Sequence, residues 1–223
     1  MRRFCEILKR KDVGSIGIGA MIVFIAMVLV AGIAARVLIQ TSTKLETQAM
    51  ATGQETTKEV STGLAVCDIL GYAADGADIS KLIVMVRPRA GSDGIDLAET
   101  YIELANSTIK VVLNYTSSYF AEPDGQDDIF GVNVFPDSPG STPASQFGIL
   151  VVEDADDSFV SSTVVVMNQG DKAFLCVNVT GCFNNIEERS GIWGMVVPEE
   201  GSPGIISFTT PASYSGNNVF DLQ

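Results

Sequence analysis

The pattern of hydrophobic and polar positions changes character twice along the chain. From Val13 to Ala35, 23 residues pass without an ionisable side chain, in the stretch "VGSIGIGAMIVFIAMVLVAGIAA". About 20 helical residues cross the roughly 30 Å apolar core of a bilayer, so this stretch is long enough to span one. Polar residues return in "RVLIQTSTKLETQAMATGQETTKEV", which has no Pro and a single Gly. Here Leu38, Leu45, Ala49, Thr52, Thr56 and Val60 recur at spacings of three, four or seven, the period of a helix face. One helix over 15–60 is predicted, about 69 Å long at about 1.5 Å per residue, roughly twice what a bilayer requires.

From residue 61 onward the pattern turns to short apolar or alternating runs punctuated by Gly, Pro, Asn and Asp. The candidates are "KLIVMVRP" (81–88), "TYIEL" (100–104), "TIKVVLNY" (108–115), "FGILVV" (147–152), "FVSSTVVVM" (159–167), "KAFLCVNV" (172–179), "GIWGMVV" (191–197) and "GIISFTT" (204–210). Many short strands separated by turn signals predict an antiparallel β-sandwich or barrel of Ig-like type over 61–223. The fold class expected is α+β, a long hydrophobic helix followed by that β-domain. Residues 121–145 are rich in Gly, Pro, Asp and Ser and predict a surface loop.

Charge sharpens the picture of the N-terminus. Arg2, Arg3, Lys9, Arg10 and Lys11 precede the apolar stretch, against Glu6 and Asp12. Setting those five bases and two acids aside from the 14 and 27 of the whole chain leaves nine bases and 25 acids, a net charge of −16 beyond residue 14. Bases before an apolar span place the N-terminus in the cytoplasm and the bulk of the chain outside. An acidic surface without a basic patch repels phosphate backbones, which excludes nucleic-acid binding. The chain has no histidine, the commonest general base and zinc ligand.

The apolar stretch is dense in small residues, among them Gly17, Gly19, Ala20, Ala31, Gly32 and Ala35. Small residues four apart, such as Ala31 and Ala35, allow helices to approach closely. By composition alone, a permanent anchor and a secretory signal ending at "GIAA" (32–35) both remain open, since membrane helices are generally rich in Gly and Ala.

The run "GSIGIGAMIVFIAMVLVAGIAARVLIQTS" closely resembles the N-terminus of archaeal flagellins, the archaellins, over about 30 residues. The segment "GMVVPEEGSPGIISFTTP" (194–211) resembles their C-terminal end more weakly. The resemblance implies a class III, type IV pilin-like signal: a leader peptidase cuts a basic leader, residues 1–14, between Gly14 and Ser15 on the cytoplasmic side and leaves the helix on the mature subunit. In this chain Asp12 and Val13 separate the bases from the Gly, where the family usually has them adjacent. The fifth mature position is Gly19, where type IV pilins proper carry Glu. A homopolymer is implied, with Ile18, Met21, Phe24, Ile25, Val28, Leu29 and Ile33 in the filament core. The precursor would wait in the cytoplasmic membrane for the membrane assembly machinery.

The remaining motifs add modification and binding candidates. Sequons stand at Asn106, Asn114 and Asn178; export and the family resemblance favour glycan on at least one of them, with ordinary strand-edge asparagines as the alternative. Cys5 falls in the leader; Cys176 and Cys182, six apart, are a tentative disulfide outside the cell, which would leave Cys67 alone. Buried thiols acting as small hydrophobes are the alternative. The acidic clusters at 124–128 and 153–157 are expected to be solvated loops, with calcium between subunits as the minority reading and no metal or other cofactor otherwise. The Ser-x-x-Lys match at Ser107–Lys110 opens a predicted strand and overlaps a sequon, and no nucleophile elbow or phosphate loop is present, so no enzyme is expected. The expected function is a structural subunit of an extracellular motility filament, with an adhesive pilin and a membrane-anchored binding domain as alternatives.

Overall fold

The computed structural model describes residues 2–76, 78–122, 128–136 and 145–223. The chain divides into two compact units, Met1–Glu55 and Thr56–Gln223. The predicted helix is present as α1 (Arg2–Ser61), 60 residues without a break. Its start lies ahead of the expected one, because "RRFCEILKRK" contains good helix formers and neither Gly14 nor any Pro interrupts the run. It ends where Thr62 N–H still donates to Lys58 O at 2.8 Å and Gly63 turns the chain into the sheet.

The β-unit opens with β1 (Leu64–Tyr72) and β2 (Lys81–Pro88), followed by a short β3 (Ile95–Asp96), β4 (Tyr101–Ala105) and β5 (Lys110–Ala121). Then come β6 (Gln146–Glu153), a two-residue β7 (Val166–Met167), β8 (Lys172–Asn178), the one-turn helix α2 (Val179–Phe183), β9 (Gly191–Val197), β10 (Gly204–Thr209) and β11 (Val219–Asp221). Among the described residues, nine strands form one sheet in the order β10-β9-β4-β5-β6-β8-β2-β1-β11, and β3 pairs with β7 apart from it. Every pairing in the large sheet is antiparallel except β5 with β6, whose long connection lets the second strand run the same way as the first.

The expected antiparallel β-domain takes its barrel form. In place of the two facing sheets of an Ig-like sandwich, a single sheet curls until its β10 end meets β1. Gly63 bridges to Ser202, Leu64 N–H donates to Ser202 O at 3.1 Å, and Ser202 N–H donates to Thr62 O at 2.9 Å. Gly201, at φ 93°, sits so tightly against Thr62 that a Cβ there would fall 2.1 Å from the Thr62 carbonyl oxygen. The curl encloses the main core, which includes Leu64, Ile69, Leu82, Val84, Ile102, Leu104, Phe147 and Leu175, all fully buried.

A second cluster covers the outer face of the sheet around β2, β6 and β8. Ile83, Leu150 and Cys176 point outward and are covered by Phe130, Val134 and Phe135 from the loop. Gly148 on β6 lets that loop approach, because a Cβ there would lie 2.0 Å from Val134 O.

Two sequence expectations about strands need correction. The run 159–167 is strand only at its end, because Ser161 and Val164 close a turn and the Ser161 and Thr163 hydroxyls pair at 3.0 Å. In contrast, "LAVCDILGY" forms β1, a strand the alternation conceals because a bulge between Val66 and Asp68 shifts the inward set by one residue.

Candidate assembly surface and modification sites

The apolar half of α1 is an exposed surface. Its apolar window is wholly uncovered, and Ile18, Met21, Phe24, Ile25, Val28, Leu29 and Ile33 are each 53–67% exposed. Gly14 is exposed as well, and nothing lies within 4 Å of where its Cβ would be. In the polar half, Thr41 Oγ1 donates to Leu38 O at 2.9 Å, Thr43 Oγ1 to Ile39 O at 3.0 Å and Thr47 Oγ1 to Lys44 O at 2.9 Å. Hydroxyls satisfied on their own helix can enter an apolar environment without new partners.

At the end of α1 the Lys58 ammonium pairs with Glu200 at 2.5 Å. Hydrogen bonding to that carboxylate, followed by its charge, raises the lysine pKa. The Thr62 hydroxyl beside it is buried and makes no hydrogen bond in the structure.

The three sequons occupy different environments. Asn106 is the β4–β5 turn residue, its Oδ1 accepting Thr108 N–H at 2.8 Å and Ile109 N–H at 2.7 Å. Asn114 is exposed on the outward side of β5, opposite Tyr101. Asn178 is committed elsewhere: it caps α2 by accepting Gly181 N–H on Oδ1, and its Nδ2 donates to Pro136 O at 2.9 Å.

Asn178 works with a residue that the sequence did not single out. Lys81, its register partner on β2, donates from Nζ to Phe130 O at 2.6 Å and lies 4.7 Å from the centroid of the Phe135 ring. Tyr72 stacks on Phe130, and Phe130 on Phe135, at centroid separations of 5.0 and 6.1 Å. Adjacent strands thus grip both ends of the 130–136 segment, a pairing invisible until β2 and β8 are placed side by side.

The expected disulfide is not formed. Cys176 lies on the outer face of β8 in the second cluster, whereas Cys182 on α2 belongs to the main core, so the sheet keeps the two thiols on opposite sides. Burial raises both thiol pKa values, that of Cys182 to about 12. Cys67 is exposed on β1.

Of the two acidic runs, 124–127 lies outside the described residues. The other contributes Asp154 and Asp156, and the fold brings up Asp171 from outside the run, placing one carboxylate oxygen of each within 4.8 Å of the others. These are the residues that could hold a cation. Their oxygens already accept N–H groups: Asp154 from Ser158 and Phe159, Asp171 from Ala155 and Asn168, and Asp156 from the Asn168 side-chain amide.

Two clefts lie on the β-unit among the described residues. One is lined by Lys58, Thr62, Asp96 and Glu199, another by Arg87, Arg89, Gln169 and Lys172. Ser107 sits in the exposed turn before Lys110, whose ammonium pairs with Glu103 at 2.7 Å.

Comparison with known proteins accounts for this combination of bare helix and curled sheet. The family model for archaeal-type flagellin matches residues 14–208. Flagellin B3 of Methanocaldococcus jannaschii is 40% identical over 94% of this chain and 95% of its own length, and flagellin B2 of the same organism is 41% identical over 98% of both. The crystal structure of archaeal flagellin FlaB1 from Methanocaldococcus jannaschii superposes with a TM-score of 0.59 at 34% identity, covering 73% of this chain and 97% of that one. The archaeal flagellum of Methanospirillum hungatei shares the fold at 15% identity, with a TM-score of 0.60 over 92% of this chain and 98% of that one. With nearly its whole length matched by flagellins at about 40% identity, the chain belongs to the archaeal-type flagellin family.

Proposed function

We propose that this protein is the structural subunit of an archaeal motility filament, polymerised through α1 and displayed outside the cell. The observation that carries the reading is the helix itself, whose apolar window has no cover within the chain. Such a surface has two stable environments, lipid and a bundle of like helices. Moving from one to the other exchanges one apolar surrounding for another, so packing of small and branched side chains decides the balance.

In this scheme the precursor sits in the cytoplasmic membrane with its N-terminus inside. A leader peptidase then cuts between Gly14 and Ser15, which removes five bases that could not follow the helix into a dry core. Ile18, Met21, Phe24, Ile25, Val28, Leu29 and Ile33 form that core. Contacts between unlike faces propagate an open helical array rather than a closed ring. The β-unit forms the outer wall and carries glycan at Asn106 and Asn114. Asn178, whose amide nitrogen already holds Pro136, is a poorer acceptor once the domain has folded.

The test is the N-terminal sequence and intact mass of protein sheared from its native cells. A start at Ser15, with mass above that of the polypeptide, is expected. Recovery only from the membrane fraction, starting at Met1, would refute the proposal.

A further inference from the structure

The outer face of the sheet is covered over one half and bare over the other. Around β2, β6 and β8 the loop carrying Phe130, Val134 and Phe135 shields the outward side chains. Over β10, β9, β4 and β5 no described residue does so, and Ile205, Trp193 and Met195 stay exposed. Pairing puts Ile205, Met195, Glu103 and Val112 in one row across the four strands, with Trp193 in the next row beside Ser207. Ile205 is 71% exposed, Trp193 51%, Val112 46%, Met195 38% and Tyr101 37%.

These outward positions alternate with Ile102, Leu104, Leu113, Val196 and Ile206, which fill the core. The outward face thus carries large apolar side chains beside its polar ones, where a fully solvated face would be polar. A patch of exposed large apolar side chains such as Ile205, Met195 and Trp193, neighbours on β10 and β9, marks an interaction site.

We infer that this β10-β9-β4-β5 face is a lateral contact with a second copy of the chain in the filament, a conclusion that rests on the filament reading above. The charge distribution identifies the occupant. Beyond residue 14 each copy carries a net charge of −16, so outer domains packed side by side repel one another over most of their surfaces. The charged side chains on the outward positions of these four strands are Glu103 and Lys110, which neutralise each other at 2.7 Å. This face is therefore a place where two acidic copies approach without net repulsion, and polymerisation through α1 supplies the second copy. A soluble basic partner would instead be drawn to the acidic surfaces elsewhere. The contact is heterologous: the face meets a different surface of the neighbour, as an open array requires. Asn114 lies on the β5 edge of this face, opposite Tyr101 and about 12 Å from Met195, so the contact centres on β9 and β10 and a glycan on β5 flanks it.

Oxidative footprinting of native filaments, read by mass spectrometry and compared with the same filaments dissociated in mild detergent, tests the inference. Oxidation of Trp193 is expected to be about fivefold slower in the filament, as its exposure falls from 51% to the roughly one-tenth typical of an interface core, with Met195 following. Protection of Met21 and Met27 on α1 reports filament integrity in the same digest. With Met21 and Met27 protected, Trp193 and Met195 oxidised equally fast in both states would overturn the contact and leave the filament reading standing. Equal protection of Trp193 in both states would also overturn it, since a covalent glycan rather than a neighbour would then be the cover. Failure to recover filaments from cells that make the protein would overturn both readings together.

Discussion

Truncating Phe24 to Ala isolates the contribution of the apolar helix to assembly. In the chain by itself Phe24 is 67% exposed, so the substitution leaves the β-unit untouched. Fully burying a Phe side chain contributes about 1.5–3 kcal/mol, and the uncovered two-thirds therefore contributes about 1–2 kcal/mol per subunit on entering a bundle. At about 1.4 kcal/mol per tenfold, the subunit concentration coexisting with filament rises about 5- to 30-fold. Alanine is preferable to aspartate here, because an Asp at the centre of a membrane helix costs about 2.5–3.5 kcal/mol at insertion and would confound membrane storage with assembly. The assay brings sheared filaments to steady state in mild detergent and quantifies the subunit left in the supernatant after sedimentation. Equal membrane pools of wild type and variant establish that the precursor is unaffected. Supernatant concentrations that agree within about twofold would refute the reasoning, since a core position could not then lose its ring without effect.

Further expectations concern the β-unit. Alkylation of the mature native protein should label Cys67 quickly and Cys176 and Cys182 only after denaturation, because burial raises the latter two thiols; an intact mass two units low before reduction would show a disulfide instead. Lys81→Met keeps the aliphatic stem but loses the 2.6 Å bond to Phe130 O and the contact with the Phe135 ring. The expected loss is about 1–3 kcal/mol in chemical denaturation, with faster proteolysis in the segment around 130–136; an unchanged midpoint would show that the lysine does not hold the loop. Tyr115 donates its hydroxyl to Ser162 O at 2.7 Å, and burial raises its pKa to about 12 from an ordinary value of 10. Its neutral form is thus favoured by folding, a contribution fully present below pH 10 and lost as pH rises through 12. Tyr214, raised chiefly by burial, adds to the same alkaline loss. Tyr115→Phe should be less stable at pH 7 by about 1 kcal/mol yet lose less between pH 10 and 12; parallel alkaline titrations of the two proteins would contradict this.

The sequence by itself determined what depends on contiguous residues. An uncharged run of 23 residues behind a basic leader is a property of one helix, and helix period and spanning length are set locally. The strands 81–88 and 191–197 were equally legible, since each is bounded by turn residues and nothing else competes for its apolar side chains.

What required the tertiary structure was anything set by pairing between distant strands. Six residues separate Cys176 from Cys182, a spacing compatible with a disulfide, but β8 turns one thiol outward while α2 turns the other into the core. That Asn178 shares with its register partner Lys81 the grip on residues 130–136 was equally out of reach. The "EDADD" run gathers its third carboxylate from Asp171, and the bulge in β1 conceals a strand by breaking its alternation. The bare apolar face was likewise out of reach. Trp193, Met195 and Ile205 look like core positions along the chain, and only the curl of the sheet decides which face is inside. Side chains alternate by a local rule, but which set is buried depends on closure of the whole sheet, a long-range outcome that no single strand encodes.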